Sequence, residues 1–431
     1  MYYKLFSILL VSLLIWGCGS SDSSRSLSQQ FAPSAGPQNS FSVPGQIVLS
    51  DLVYSIQLTR QSGSNTAPIL RLNSNDKLRL SFDMLQFDSR GIRVSFTHHN
   101  PDWSRSNLAQ DFFMEGFHRL NLDAGRVSST QRPAYRNYQY DFPNDDIRFL
   151  VSGNFMLRVE DADTGSLLFS VPFFVTENAG DIASSVQSVI TARSDYRNAH
   201  YPRSRFELPD FVEMPQFNLE FYYVQNQFWG RKIRARELDT SNEGEVLFEL
   251  RRQEPFNGDY EFMHLSLNNL SLSAPNIMEF EPTRIPPMVV LRDDAQGFAA
   301  SRGRISGNRF GNPNRSLSAQ YADVHFRFDP ADEYSEPSSI YLVGDFNNWS
   351  LQSNYELDYN SETGRWQANG IIKEGSYAYK YVLIEDNRIN DLAMDDSFVR
   401  TRQEYHAFVY YRDPDRFYYR LLQTNNFFKE S

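Results

Sequence analysis

Phe96-Thr97-His98-His99-Asn100-Pro101-Asp102-Trp103-Ser104-Arg105-Ser106 is where a regular pattern breaks. Upstream, Ile92, Val94 and Phe96 alternate with Arg93, Ser95 and Thr97. Before them Leu78, Leu80, Phe82 and Met84 alternate with Arg79, Ser81 and Asp83. A period of two marks strands with one buried face, and Asp88-Ser89-Arg90-Gly91 supplies the turn between them. Past His98 the alternation stops. Pro101 lacks a backbone donor and cannot continue a central strand, and Asp102 can bond nearby backbone groups and turn the chain. Trp103 is the largest apolar side chain of the region. The stretch therefore reads as a turn around a packed Trp103 at one end of a sandwich.

Outward from this turn the same pattern repeats. Leu52 to Thr59 and Pro68 to Leu72 read as strands, and Ser106 to Met114 as one or two helical turns. Phe155, Leu157 and Val159 face Leu167, Phe169, Val171 and Phe173 across Asp161-Ala162-Asp163-Thr164-Gly165, the clearest hairpin in the chain. Val186–Ala192, Asn218–Val224, Gly244–Leu250 and Pro287–Leu291 are further strand candidates. The expected fold is all-β, a series of immunoglobulin-like sandwiches with few short helices. The expected segments are 48–178, a β-rich middle region 184–320, a third sandwich 321–415 and a tail 416–431.

Composition agrees. With 431 residues there is room for several domains. Aromatics make up 15%, with 34 Phe and 24 Tyr, and they favour strands. The formal charge of −11 argues against a nucleic-acid or anionic-membrane binder. Lys4 followed by the apolar run Leu5–Trp16 fits a cleaved secretory signal over 1–17, too short to span a bilayer. Residues 18–47, rich in Ser, Gly, Pro and Gln, read as a flexible tether.

Residues that could carry chemistry are few. His98 and His99 point to opposite faces of a strand and cannot easily share a metal. The Asp161 loop lacks the closing Glu of a calcium loop. No nucleophile with a base, phosphate loop or metal motif appears, so the reading is a protein with no catalytic residues, metal or cofactor. Between Gly297 and Arg315, Arg302, Arg304, Arg309 and Arg315 lie among four Gly and three Asn. This is a solvated loop or a partner contact. Trp103 and Asp102 are the other candidates for a structural or partner-facing role.

Three resemblances add to this reading. Leu14-Ile15-Trp16-Gly17-Cys18 resembles a bacterial lipobox, although Trp16 stands where a small residue is usual. It implies lipidation at Cys18, the chain's sole cysteine, and hence an exported protein without disulfides. The mature charge would be −12, because Lys4 leaves with the signal. Tyr341-Leu342-Val343-Gly344-Asp345-Phe346-Asn347-Asn348-Trp349, Gly364-Arg365-Trp366 and Gly375 to Leu383 resemble the early-set sandwich of glycogen-binding modules. Trp349 and Lys380 match two of that family's sugar contacts. The third, an aromatic, is absent from Ile384–Ile389.

The order of Trp103 in HHNPDWS, Leu150-Val151-Ser152-Gly153-Asn154-Phe155 and Phe173-Phe174-Val175 resembles the plug protein of the type IX secretion system. Asn218–Phe221, Phe228–Arg236 and Gly303-Arg304-Ile305 fit that family's later regions. His98-His99 departs from its usual His-Cys pair. The resemblance implies a periplasmic gate, held by lipid to the inner leaflet of the outer membrane, that binds and closes the periplasmic opening of the giant outer-membrane barrel translocon. The alternative is a non-catalytic glycan-binding lipoprotein that uses Trp349 and Lys380.

Overall fold

The alternating strands pair in the register their pattern requires. The computed structural model describes residues 37–429 apart from 62–66, 87, 131, 194–195, 259–260, 296–303, 307–311, 331–338 and 395–402. In the first sandwich, β1 (Val53–Arg60) pairs with β2 (Leu78–Met84), which pairs with β4 (Arg136–Phe142). The facing sheet carries β3 (Ile92–His99), β5 (Gly153–Asp161) and β6 (Leu167–Thr176). Phe96 lies opposite Leu157, which lies opposite Val171, and His98 lies opposite Phe155, which lies opposite Phe173. One apolar row thus crosses three strands. It meets Phe82 and Phe142 of the other sheet, with ring centroids of Phe142 and Phe173 5.2 Å apart. Between β3 and β4 a single helical turn, α1 (Gln110–Phe113), buries Phe113. Among the described residues no helix is long and apolar enough to cross a membrane.

The remaining sheets divide the chain differently from its linear composition. The middle sandwich sets β7 (Ile182–Arg193), β8 (Tyr196–Glu207) and β10 (Glu245–Glu249) against a sheet of β9 (Leu219–Gln225), β17 (Gln403–Arg412) and β18 (Tyr419–Lys429). The expected tail 416–431 therefore contains a core strand. The physical reason is burial: β9 needs a partner, and β17 lies beside it with Phe221 opposite Val409 and Tyr223 opposite Ala407. Phe221 and Phe248 then stack across the sandwich at 3.8 Å.

The third sandwich starts well before the expected residue 321. β11 (Glu261–Ser266) pairs with β16 (Gly375–Glu385), and β12 (Met288–Leu291) pairs in parallel with β13 (Tyr321–Asp329). β14 (Ser339–Gly344) and β15 (Arg365–Lys373) complete its two main sheets. Its core stacks Phe328 on Tyr381 at 4.1 Å. Periodicity identifies strands but not which distant strand each will meet, and that is where the boundaries move.

The tether also shortens. Residues 37–49 form an ordered strap. The Gln38 amide donates to Asn387 O, the Gly230 amide to Phe41 O and the Ser170 amide to Ile47 O. One short segment thus touches the third, middle and first sandwiches in turn. Phe41 and Val43 are buried and hold it in place. A Cβ on Gly230 would come within 2.2 Å of Ser42 O, so only glycine lets the strap lie this close.

Candidate functional site at the junction of the three sandwiches

The turn that follows β3 is built as its residue types dictate. Asp102 Oδ1 accepts from the Ser104 amide at 2.9 Å and its hydroxyl at 2.6 Å. The Trp103 amide donates to Asn100 O, and Trp103 takes φ +68°, left-handed backbone that costs a non-glycine residue about 1–2 kcal/mol. This conformation turns the indole out of the first sandwich's own core. It enters a separate cluster with Phe174 of β6, Trp229 and Phe408. The centroid distances are 5.5 Å from Trp103 to Phe174, 5.1 Å from Phe174 to Trp229 and 4.9 Å from Phe174 to Phe408. Trp103 therefore fixes the first sandwich to the middle one, rather than shaping one end of the first. Burial of the ring outweighs the backbone cost.

The two histidines support this turn. His98 Nδ1 accepts from the Ser106 hydroxyl at 2.8 Å and its Nε2–H donates to Ser152 O at 3.1 Å. Burial, against the opposing pull of the Ser152 carbonyl, lowers its pKa to about 4, so the ring is neutral. Gly153, at φ +139°, must lack a Cβ because one would sit 2.4 Å from His98 Nε2. His99 points the other way, its Nδ1–H donating to Trp103 O at 2.8 Å. Among the described residues no group of His, Cys, Asp or Glu has metal-holding geometry.

Asp102 has a further neighbour across the junction. The Lys232 ammonium lies 4.8 Å above the Tyr222 ring, and burial lowers its pKa to about 8 against the pull of Asp102 and Glu220. The same interface is tied by Tyr410 Oη donating to Asn154 Oδ1 at 2.6 Å and by Arg420 to Glu177 at 2.6 Å.

The first and third sandwiches meet through buried charge. Lys373 Nζ lies 2.7 Å from Asp83 Oδ2, and both side chains are out of solvent. Tyr321 Oη donates to the same oxygen at 2.7 Å, and Asn137 Nδ2 donates to Asp83 Oδ1 at 2.7 Å. The Tyr135 ring lies 4.3 Å below the ammonium. Every strong acceptor of Asp83 is thus occupied, which such a pair requires to be stable.

The middle and third sandwiches meet at a second aromatic cluster. Phe228 lies 4.6 Å from Phe41 and 5.0 Å from Trp349, and Phe262 lies 5.2 Å from Trp349. Arg231 stacks on Phe41 at 3.5 Å and pairs with Asp391 at 2.5 Å. This corrects the sugar-contact reading. Trp349 is 2% exposed and Lys380 3% exposed, so neither offers a face to a ring from solvent. Trp349 Nε1 donates to Asp345 instead.

A cavity of about 390 Å3 opens where all three sandwiches and the strap converge. Arg315 lies on its lining, and Arg304 sits in a short strand opposite Met263. Arg302, Arg309 and Cys18 lie outside the described residues. Sequence reasoning missed Asp83, Lys373, Phe174 and Trp229 as junction residues. Their only signal is that they are large or charged groups, three on strands and Trp229 in a short helical turn, where a sandwich's own core does not need them.

Away from the junction, aromatic side chains stand exposed along one end shared by the first and middle sandwiches. Phe112 is 69%, Phe217 74% and Phe417 91% exposed. Phe112 and Phe417 each adjoin a residue whose ring packs near His98, Phe113 at 6.0 Å and Tyr418 at 5.9 Å, and Phe217 lies two residues before Leu219, which pairs with Tyr411. Phe417 takes φ +58° and Met214 φ +46°, so both are held outward in left-handed backbone.

Comparison with known proteins places the first sandwich. Residues 53–177 match the family described as Type 9 secretion system plug protein 1st domain. No curated protein matches the chain in sequence. A crystal structure of a hypothetical protein from Parabacteroides merdae ATCC 43184 superposes with a TM-score of 0.80 at 22% identity, over 89% of this chain and 99% of that one. It has the same fold. The C-terminal domain of the Streptococcus agalactiae AgI/II polypeptide BspA reaches a TM-score of only 0.17 at 7% identity, over 86% of this chain and 99% of that one, and carries no argument.

Proposed function

With its first sandwich in the type IX secretion plug family, we propose that this chain is the periplasmic plug of that system. It seats on the periplasmic opening of the giant outer-membrane barrel and closes it until cargo displaces it. The observation that carries this reading is the family match over residues 53–177. A barrel wide enough for folded cargo leaks small solutes unless it is stoppered. A stopper has to keep its shape, and the strap, the Trp103 cluster and the Asp83–Lys373 pair make three sandwiches into one body.

The end with Phe112, Phe217 and Phe417 is the face we assign to the barrel, because these large aromatic side chains are left exposed with no described cover. Reversible closure calls for a contact of ordinary size with a polar rim. Cys18 carries the lipid that holds the plug at the inner leaflet of the outer membrane, where anchoring raises its local concentration.

Affinity purification from native membranes tests the reading. The wild-type chain should bring down the barrel translocon, and Phe112→Asp with Phe417→Asp should lose it at an unchanged melting temperature. Failure of the wild-type chain to recover the barrel ends the proposal. Mass spectrometry of the mature N-terminal peptide should find acyl chains on Cys18.

A further inference from the structure

One face of the first sandwich carries a charge that the chain as a whole does not. The core side of β3 is taken by Ile92, Val94, Phe96 and His98, so Arg93, Ser95, Thr97 and His99 point outward, half-buried. Arg158 of β5 lies opposite Ser95 on one side, and Arg119 of the short strand Arg119–Leu122 lies opposite it on the other. Residues opposite each other in paired strands point to the same face, so two arginines flank one serine. Their Cα atoms stand about 10 Å apart, two strand spacings. After the turn at Trp103 the chain returns beside β3, where Arg105 bridges to His99 on the side that Asn154 leaves open. Ser95 and His99 are about 13 Å apart at strand rise. Three arginines thus surround Ser95 and Thr97 at separations that side chains of their length span. Burial lowers the pKa of His99, and the charges of Arg105 and Arg158 lower it further, against the Trp103 carbonyl and Asp102. Both guanidiniums therefore act on the same ring.

The chain's formal charge is −11, and exposed arginines elsewhere hold carboxylates. Arg79 takes Asp141 at 2.6 Å, and Arg148 takes Glu115. Arg105 and Arg119 are exposed and make no side-chain hydrogen bond or ion pair among the described residues. Arg93, two residues before Ser95, donates to neutral oxygens, Asn121 Oδ1 at 3.4 Å and Ala162 O at 3.2 Å. Glu160, opposite Arg93, pairs with Arg158 at 3.3 Å. Asp102, at the other end of the face, is bonded to Ser104 and acts on Lys232. Positive charge remains in excess. It stands over a floor whose Ser95 hydroxyl makes no hydrogen bond among the described residues.

We infer that this face binds a phosphate monoester, its dianion held by the guanidiniums of Arg105, Arg119 and Arg158 over the Ser95 hydroxyl. Such a group carries close to two negative charges at neutral pH and three strong acceptor oxygens. Arginine forks match those oxygens in pairs. Guanidiniums arriving from three directions enclose a tetrahedral group, whereas a carboxylate is flat, with two oxygens and one charge. Arg158 then shares its charge between Glu160 and the ligand, and Arg93 adds charge from beside it. Soluble phosphate esters and lipid headgroups both carry this group, and the exposed arginines are open to either. The inference does not rest on the docking reading, since it uses none of the residues assigned to the barrel.

Isothermal titration of the full chain with glycerol 3-phosphate, at low ionic strength and mildly alkaline pH, tests this. Wild-type protein should bind it saturably. Arg105→Gln and Arg119→Gln should each weaken binding about tenfold and Ser95→Ala about threefold, the losses expected for a hydrogen bond to a charged group and for a hydroxyl. Arg126→Gln should leave it unchanged, because that exposed arginine, also without a side-chain partner among the described residues, lies on the opposite sheet. Thermal melts of the four variants should match wild type. Flotation with phosphatidylcholine vesicles containing phosphatidic acid separates the two sources. Tighter binding to these vesicles than to glycerol 3-phosphate, lost in Arg105→Gln and Arg119→Gln, assigns the group to a lipid headgroup. Binding of the soluble ester alone assigns it to a soluble molecule, and both results uphold the inference. It is overturned if neither source binds, if Arg126→Gln weakens binding as much as Arg119→Gln, or if dimethyl phosphate, a singly charged diester, binds as tightly. It is equally overturned if triglutamate binds in preference and is lost in the same variants, since the face would then serve an acidic protein segment. None of these outcomes bears on recovery of the barrel from membranes.

Discussion

Lys373 of the third sandwich reaches Asp83 of the first at 2.7 Å, 290 residues away in sequence, with neither side chain open to water. The pair sits between two separately cored sandwiches, so its strength is part of what makes them one body. Removing one partner strands the other as an uncompensated buried charge. Lys373→Met should therefore cost about 3–5 kcal/mol in urea denaturation. Adding Asp83→Asn should recover most of that loss. A single variant within about 1 kcal/mol of wild type would show that the charge pair does not hold the junction.

Trp103→Ala should cost about 3–5 kcal/mol, as expected for truncating a buried large aromatic. Because the ring lies against Phe174 and its neighbours across the junction, the loss should appear first as separation of two sandwiches. Limited proteolysis should open the Glu177–Asp181 connection before any strand of the first core is cut. Cleavage inside the first core at the same rate would return Trp103 to that core.

Gly230→Ala tests the strap. A methyl group there meets Ser42 O, so the strap has to move away. Amide exchange should speed up at Gly230 and Ser170, which donate to Phe41 O and Ile47 O of the strap, and at Leu49, which donates from the strap to Leu168 O. The expected cost is about 1–3 kcal/mol. Unchanged exchange at these three sites would mean the strap is held from elsewhere.

Stability should fall as the solution is acidified from neutrality. Burial lowers the pKa of both His98 and His200 to about 4, below the value near 6.5 they take when unfolded. Between those values the unfolded chain binds protons that the folded chain does not, so stability rises with pH there and is lost as pH falls through 6.5 towards 4. Each histidine contributes on the order of 3 kcal/mol to that slope. Urea midpoints between pH 4.5 and 7 should show it, and His98→Gln should flatten it. An equal slope in that variant would assign the pH dependence to other groups.

Much of the first sandwich is legible in sequence, because its strands are regular and their neighbours close along the chain. Phe155 to Val159 and Phe169 to Phe173 announce a hairpin, and they form one. The closing strands of the middle sandwich are not legible in this way. Tyr405 to Tyr411 is a nearly continuous apolar run buried on both faces, so no alternation marks which face meets which sandwich, and nothing local says that Ala407 and Val409 pair with Tyr223 and Phe221. The junction is harder still. Trp103 announces burial but not direction, which depends on a left-handed residue inside a five-residue turn. Trp349 reads as a sugar platform because its motif is surface-borne in the proteins it resembles. Here Phe41, from a stretch that reads as tether, covers it.

The path of the strap sets an order of events during folding. Asn39 Nδ2 reaches Ile389 O, a contact 350 residues apart in sequence. Residues at the start of the described chain therefore have no seat until the third sandwich exists. The middle sandwich likewise stays half-covered until β17 and β18 have been delivered. Loop closure over such spans is slow, and until it occurs the aromatic rows of β8 to β10 face solvent. A newly made chain thus passes through a state with one finished sandwich and one open one. Until that closure the open sheet is the surface most prone to aggregate.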